Sequence, residues 1–175
     1  MKKTVAVVLC VAVLICLCGC AGETRPDMTA LSEKMAEYNE NYAFDYFDTF
    51  EYENATRVFF SLCSEDDVML TLTTEDDGKI SQVNITAVSD KMKTDGERNA
   101  YMNFSTAVAE SFASLSESEK KECDNALSYK KTGMYFSDLY ETYSSQRHHF
   151  IFSSNSEYIS LNIEYYEVIE MTGEQ

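Results

Sequence analysis

Residues 58–88 run VFFSLC-SEDD-VMLTLTT-EDDGK-ISQVNITAV, three segments of alternating apolar and polar residues separated by two acidic turns. In extended conformation side chains alternate between faces, so Val58, Phe60 and Leu62, then Val68, Leu70 and Leu72, then Val83, Ile85 and Ala87 point one way. Asp77-Gly78 is the stronger hairpin signal, because glycine supplies the positive φ that a tight turn needs. Three sequential strands joined by short turns make an antiparallel meander. Its single apolar face must be covered.

The cover is legible on both sides of the meander. Downstream, Thr94 and Glu97 form a capping box, after which Tyr101, Phe104, Val108, Phe112 and Leu115 recur at helical spacing. Ser116 and Glu119 form a second box opening a shorter helix that presents Cys123 and Leu127 and ends near Gly133. Upstream, Met28, Leu31, Met35, Tyr38 and Tyr42 share one helix face, with Asp27 as N-cap after Pro26. The stretch Phe44 to Tyr52 alternates loosely and opens the sheet. Met134 to Gln146 reads as an aromatic-bearing loop or a short helix. Arg147–Ser153 and Tyr158–Tyr166 read as a closing hairpin around Ser154–Glu157, with Ile159, Leu161, Ile163 and Tyr165 on its buried face. Strands, then helices, then strands predict an α+β fold: an antiparallel sheet, meander plus C-terminal hairpin, covered on one face by helices.

The chain has 175 residues, with 14 Lys and Arg against 30 Asp and Glu, a net charge of −16 and a pI near 4.4. Such a field repels polyanions and excludes nucleic acid as a partner. A content of 45% hydrophobic and 13% aromatic residues suits one globular domain. One Pro, six Gly and no repeat period argue against linker-rich or solenoid architectures.

The amino terminus carries an address. Lys2 and Lys3 precede an apolar run from Val5 to Cys18, too short for a membrane span of about 20 residues but suited to a signal peptide. It ends in Leu17-Cys18-Gly19-Cys20, which resembles a bacterial lipobox. The resemblance implies cleavage after Gly19 and a diacylglyceryl thioether on Cys20. The layout as a whole resembles that of small Firmicute lipoproteins, and the abundant Lys, Glu, Asn and Tyr fit a Gram-positive source. The implied organisation is a signal peptide at 1–19, a lipidated tether at 20–27, one α+β domain at 28–168 and a tail at 169–175. Losing Lys2 and Lys3 and no acid would take the net charge from −16 to −18. An anionic membrane then repels the domain, leaving the acyl chains to hold it.

With Cys10, Cys16 and Cys18 in the signal and Cys20 lipidated, the domain keeps Cys63 and Cys123. Two cysteines exclude a four-thiolate zinc site. They either form one disulfide, worth about 4 kcal/mol for a loop of roughly 60 residues, or remain two buried thiols.

Few constellations carry chemistry. Tyr38, Tyr42, Phe44, Tyr46, Phe47, Phe50 and Tyr52 are interleaved with Glu40, Asp45, Asp48, Glu51 and Glu53. Aromatic faces beside carboxylates could stack on a sugar or grip a quaternary amine; the plainer reading assigns the rings to the core, and the lack of Trp weakens the sugar reading. His148 and His149 are the only histidines and, in a strand, face opposite ways, so they cannot chelate one ion together. Any serine or cysteine partner would have to meet them in space, and no G-x-S-x-G elbow is present. Glu65-Asp66-Asp67 and Glu75-Asp76-Asp77-Gly78 could coordinate calcium only if they converged, and both lack calcium-loop spacing. The Asn54, Asn84 and Asn103 glycosylation triplets are chance in a bacterial lipoprotein.

The expectation is a non-catalytic binding or interaction module without cofactor or metal, lipid-anchored at the extracytoplasmic face of the cell membrane. Its partner would be a protein, peptide or wall component. The alternatives are a carboxylate-dependent hydrolase of envelope glycans and a structural subunit of an envelope complex.

Overall fold

A computed structural model describes residues 25–45, 48–50, 54–64, 67–127 and 139–167, with only the backbone for 48–50. The signal segment, Cys20 and the tail from 169 lie outside the described residues. Helix α1 (Met28–Tyr38) and a 3-10 turn (Glu40–Tyr42) lead to strands β1 (Asp48–Phe50), β2 (Ala55–Phe60), β3 (Val68–Thr74) and β4 (Ile80–Val88). A second 3-10 turn (Ser89–Lys91) precedes helices α2 (Asp95–Ala113) and α3 (Glu117–Leu127), and β5 (Leu139–Ser144), β6 (His148–Ser154) and β7 (Tyr158–Tyr165) complete the chain. All seven strands form one antiparallel sheet in the order β1-β2-β3-β4-β7-β6-β5. The expected α+β architecture is therefore the one observed, with the carboxyl-terminal strands docked on β4 through the β7 pairing.

Alternation does the sorting. Val58 and Phe60, Val68, Leu70 and Leu72, Val83, Ile85 and Ala87, Ile159, Leu161 and Ile163, and Phe150 and Phe152 are all buried on one face. Against them pack Leu31 and Met35 of α1, Tyr101, Phe104, Val108 and Phe112 of α2, and Cys123 and Leu127 of α3. Helix α2, about 28 Å long at 1.5 Å per residue, is the main cover. Its capping box is formed as read, with the Thr94 amide donating to Glu97 at 2.7 Å and the Glu97 amide donating to Thr94 Oγ1 at 3.2 Å. The Tyr101 hydroxyl donates to the Ile85 carbonyl, tying helix to sheet. A bulge at Thr73/Thr74 shifts the β3–β4 register, which lets Ile80 be buried alongside Val83 despite the odd spacing between them.

Several expectations are corrected. Helix α1 stops at Tyr38, and the following 3-10 turn carries Tyr42 into the core. Tyr38 is half exposed and donates its hydroxyl to Glu110 Oε2 at 2.7 Å. Strand β2 begins at Ala55 and ends at Phe60, short of Cys63, because the buried Asp67 carboxylate captures the amides of Leu62, Cys63 and Ser64 at 2.8–3.0 Å. Within 134–146, residues 139–144 are strand β5, neither loop nor helix. Its alternation was masked because it is an edge strand with one side exposed and only Leu139, Glu141 and Tyr143 turned inward. The helix end near Gly133 lies outside the described residues.

The amino-terminal entry to the domain is fastened to the β3–β4 turn. Arg25 ion-pairs with Glu75 at 2.7 Å and with Asp77 at 3.2 Å, and its guanidinium lies 4.8 Å from the centre of the Tyr165 ring. The Ile80 amide donates to the Pro26 carbonyl at 3.0 Å. Asp27 caps α1 through the Ala30 amide and also accepts from Lys79 at 3.0 Å. Half-exposed ion pairs contribute up to about 1 kcal/mol each, and a cation over a ring adds a similar amount.

Asp67 makes the local account testable. Asp67→Ala strands three amides in a partly buried turn, and urea unfolding should show a loss of about 2–4 kcal/mol with little change in m-value.

Candidate functional site

Helices cover one face of the sheet, and no described element lies over the other. The strand register arranges that open face in three cross-strand rows. The first runs Phe59, Met69, Thr86, Ser160, Ser153, Tyr140. The middle row is Arg57, Thr71, Asn84, Asn162, Ile151, Thr142, and the third is Ala55, Thr73, Gln82, Glu164, His149, Ser144. In a chain with 30 acids, Glu164 is the one acid and Arg57 the one Lys or Arg in these rows, and β1 extends the middle row by Asp48 opposite Arg57. Depletion of charge is one mark of the core of a docking surface.

The centre of this face is a hydrogen-bonded polar network. Gln82 Nε2 donates to Asn162 Oδ1 at 2.9 Å and to Glu164 Oε1 at 3.3 Å, and Asn162 Nδ2 donates to Glu164 at 2.8 Å. Asn84 Nδ2 donates to Ser160 Oγ at 3.2 Å, and the Thr86 hydroxyl donates to Asn84 Oδ1 at 2.6 Å. Amides and hydroxyls locked to one another hold fixed rotamers, so their remaining donors and acceptors are preorganised. Phe59, 53% exposed, and Tyr140, 69% exposed, stand at the two ends of the first row. Five strand spacings, about 24 Å, separate them.

A second feature is an open groove of about 700 Å³ between the turn after α1, the end of β2 and the first turns of α2. Asn39, Asn41, Asp45 and Asn103 line it together with Phe59 and Leu62. The rings predicted to form a stacking site do not serve it freely. Tyr42 packs edge-on to Phe104 at 5.0 Å, and Phe60 meets Phe104 at 4.6 Å and Phe44 at 6.3 Å. Those rings belong to the core, as the plainer reading had it. Tyr46, Phe47, Glu51, Tyr52 and Glu53, and the side chains of Asp48 and Phe50, lie outside the described residues.

The two histidines do face opposite ways. His148 is 4% exposed, boxed by Phe112 at 5.2 Å and Tyr165 at 5.5 Å. Burial pushes its pKa down to about 4, with Glu119 pulling up and Arg147 pushing down. It is a neutral core residue. His149 lies on the open face, its Nδ1 2.8 Å from Ser144 Oγ on the neighbouring strand. Sequence spacing missed this pair, because five residues across a hairpin carry no nucleophile motif. It lines none of the cavities described above, and general-base chemistry needs a substrate held against the pair. A cross-strand hydrogen bond is what the geometry makes of it.

Cys63 and Cys123 are free thiols, exposed and buried respectively, so the disulfide alternative is not realised and the buried-thiol alternative holds for Cys123 alone. Cys63 follows β2, near one edge of the sheet, whereas α3 sets Cys123 against β5, at the other. A bridge would need Cα atoms within about 7 Å. Partial burial, Asp67 and Glu97 push the Cys63 thiol up, away from the thiolate a nucleophile requires. Glu65 and Asp66 lie outside the described residues; Asp67 and the Glu75–Gly78 turn stand at opposite ends of β3, about 24 Å apart, and do not converge on a calcium ion. Among the described residues no group of three His, Cys, Asp or Glu is placed to hold a metal, and no helix is long and apolar enough to cross a membrane.

No protein-family model, no curated protein and no solved structure matches this chain.

The His148 geometry sets a pH dependence. Its folded pKa lies below the ordinary 6.5, so the unfolded chain binds the extra proton between the two values. The stabilisation is complete above about pH 6.5 and is lost as pH falls towards 4, by about 3 kcal/mol at most. Asp27, Asp67, Glu97 and Glu119 are held below the usual carboxylate range and add their own losses at still lower pH. Denaturant titrations from pH 7 to 4 should show this slope, and His148→Phe should flatten it.

Proposed function

We propose that this chain is a lipid-anchored protein of the bacterial cell surface, tied to the membrane through Cys20, whose domain is a non-catalytic binding module at the outer face. The lipobox Leu17 to Cys20, behind Lys2, Lys3 and the apolar run, supports the anchor. The observation that carries the binding reading is the open face of the sheet, sparsely charged on an acidic body and built from preorganised amides and hydroxyls, with Phe59 and Tyr140 at the ends of one row. That chemistry suits a neutral partner rich in hydroxyl and amide groups, such as a wall polysaccharide. Polyanions are repelled by the net charge of −16, and cations are drawn to the acidic surfaces elsewhere.

Two measurements test the reading. In the producing bacterium, Cys20→Ser should move the protein from the membrane fraction to the soluble fraction. Detergent-solubilised full chain should be retained on insoluble wall polysaccharide, and Thr71→Lys with Thr142→Lys, which spare the hydrogen-bonded network, should weaken retention by about tenfold, or 1.4 kcal/mol, with little change in the thermal midpoint. Equal retention of parent and double variant, or of neither, overturns the binding reading.

A further inference from the structure

We propose that the domain turns the β3–β4 end of its sheet toward the phospholipid bilayer, with Arg25 as the positioning residue. The inference rests on acyl chains at Cys20, and it goes beyond that reading by assigning which surface meets the lipid and which faces outward.

The geometry begins with the clasp. Arg25, whose side chain is only 11% exposed, is gripped by Glu75 at 2.7 Å and Asp77 at 3.2 Å and stacked on Tyr165. The next two residues are pinned to the same place, Pro26 through the Ile80 amide and Asp27 through Lys79. The chain therefore enters the domain at the β3–β4 turn from the first residue described. Four residues separate Cys20 from Arg25, a reach of at most about 18 Å when fully extended. The Arg25 backbone can stand no farther than that from Cys20, and the turn no farther than one side-chain length beyond it.

Topology then sorts the remaining surfaces. Strand β3 runs away from this end for about 20 Å if traced backward from Thr74 to Val68. Helix α1 starts beside Lys79 and carries the chain the same way, to Asn39 and Asp45. Ser61 to Ser64, Asp67, the Ser89–Lys91 turn and the groove of about 700 Å³ accordingly lie at the far end. Electrostatics sets the stand-off and the tether sets the orientation, because an acidic body recoils from an anionic bilayer and is held off at the length of its tether. The open face of the sheet stands along the membrane normal, reachable from the side.

Cys63 supplies the probe for a test, being exposed at the far end while Cys123 is buried. The lipidated full chain is inserted into phosphatidylcholine–phosphatidylglycerol vesicles containing a headgroup-linked energy acceptor. Donor dye is placed either on Cys63 or, in a Cys63→Ser background, on Asp76→Cys. Transfer from position 76 should be several-fold greater than from position 63, and Arg25→Glu, which sets an acid against Glu75 and Asp77, should bring the two efficiencies together. Equal or reversed transfer in the floated parent overturns the orientation and leaves the anchor standing. An unchanged ratio in Arg25→Glu overturns the role of the clasp. A parent chain that does not float with the vesicles overturns the anchor and the orientation with it.

Discussion

A sheet with one apolar face is the constraint from which the remainder follows. Alternation along β2, β3, β4, β6 and β7 sends Val, Leu, Ile and Phe to one side in matching register, so that side must leave water. At about 25 cal/mol per Å² of apolar surface, covering it outweighs any local preference of the intervening chain. The three helices lie where they do because that face needs them. The same alternation sends Thr, Ser, Asn and Gln to the opposite side, and the binding surface proposed for this protein is a by-product of how its core is made.

Backbone accounting sets where the elements stop. Asp67 ends β2 by taking three amides that would otherwise continue the ladder, and it does so from a buried position where unsatisfied donors are expensive. Burial works against its negative charge, yet those three donors outweigh the penalty and hold its pKa low. Ser114 in the left-handed region breaks α2 from α3, and the Ser116 box restarts the helix at once. At the other end of the sheet, Arg25 pairs with Glu75 and Asp77 of the acidic turn and Lys79 with Asp27, relieving part of the repulsion concentrated there.

Much of this was legible beforehand. Capping boxes, the Asp77-Gly78 turn and the facing sets of the meander are local, and local patterns survive folding because they depend on neighbours in the chain. Strand β5 was not legible, since an edge strand is exposed on one side and half-covered on the other, and such a sequence alternates weakly. Tyr38 and Tyr42 illustrate the same limit within one helical stripe. Their spacing is right for a common face, but a 3-10 turn rotates one inward, and the Glu110 carboxylate on α2 captures the other.

The amino-acid sequence by itself determined the alternating strands, the helix starts and the acidity, all of which are written in residue types or in residues close together along the chain. Tertiary structure alone decided that β7 would join β4 into a single seven-stranded sheet, that Ser144 would meet His149, that the two cysteines would stay apart, and that Arg25 would close on the β3–β4 turn. These are contacts between residues distant in sequence. They arise because burying one continuous apolar face leaves a single way to stack the strands, and no pattern along the chain encodes which distant partners that stacking brings together.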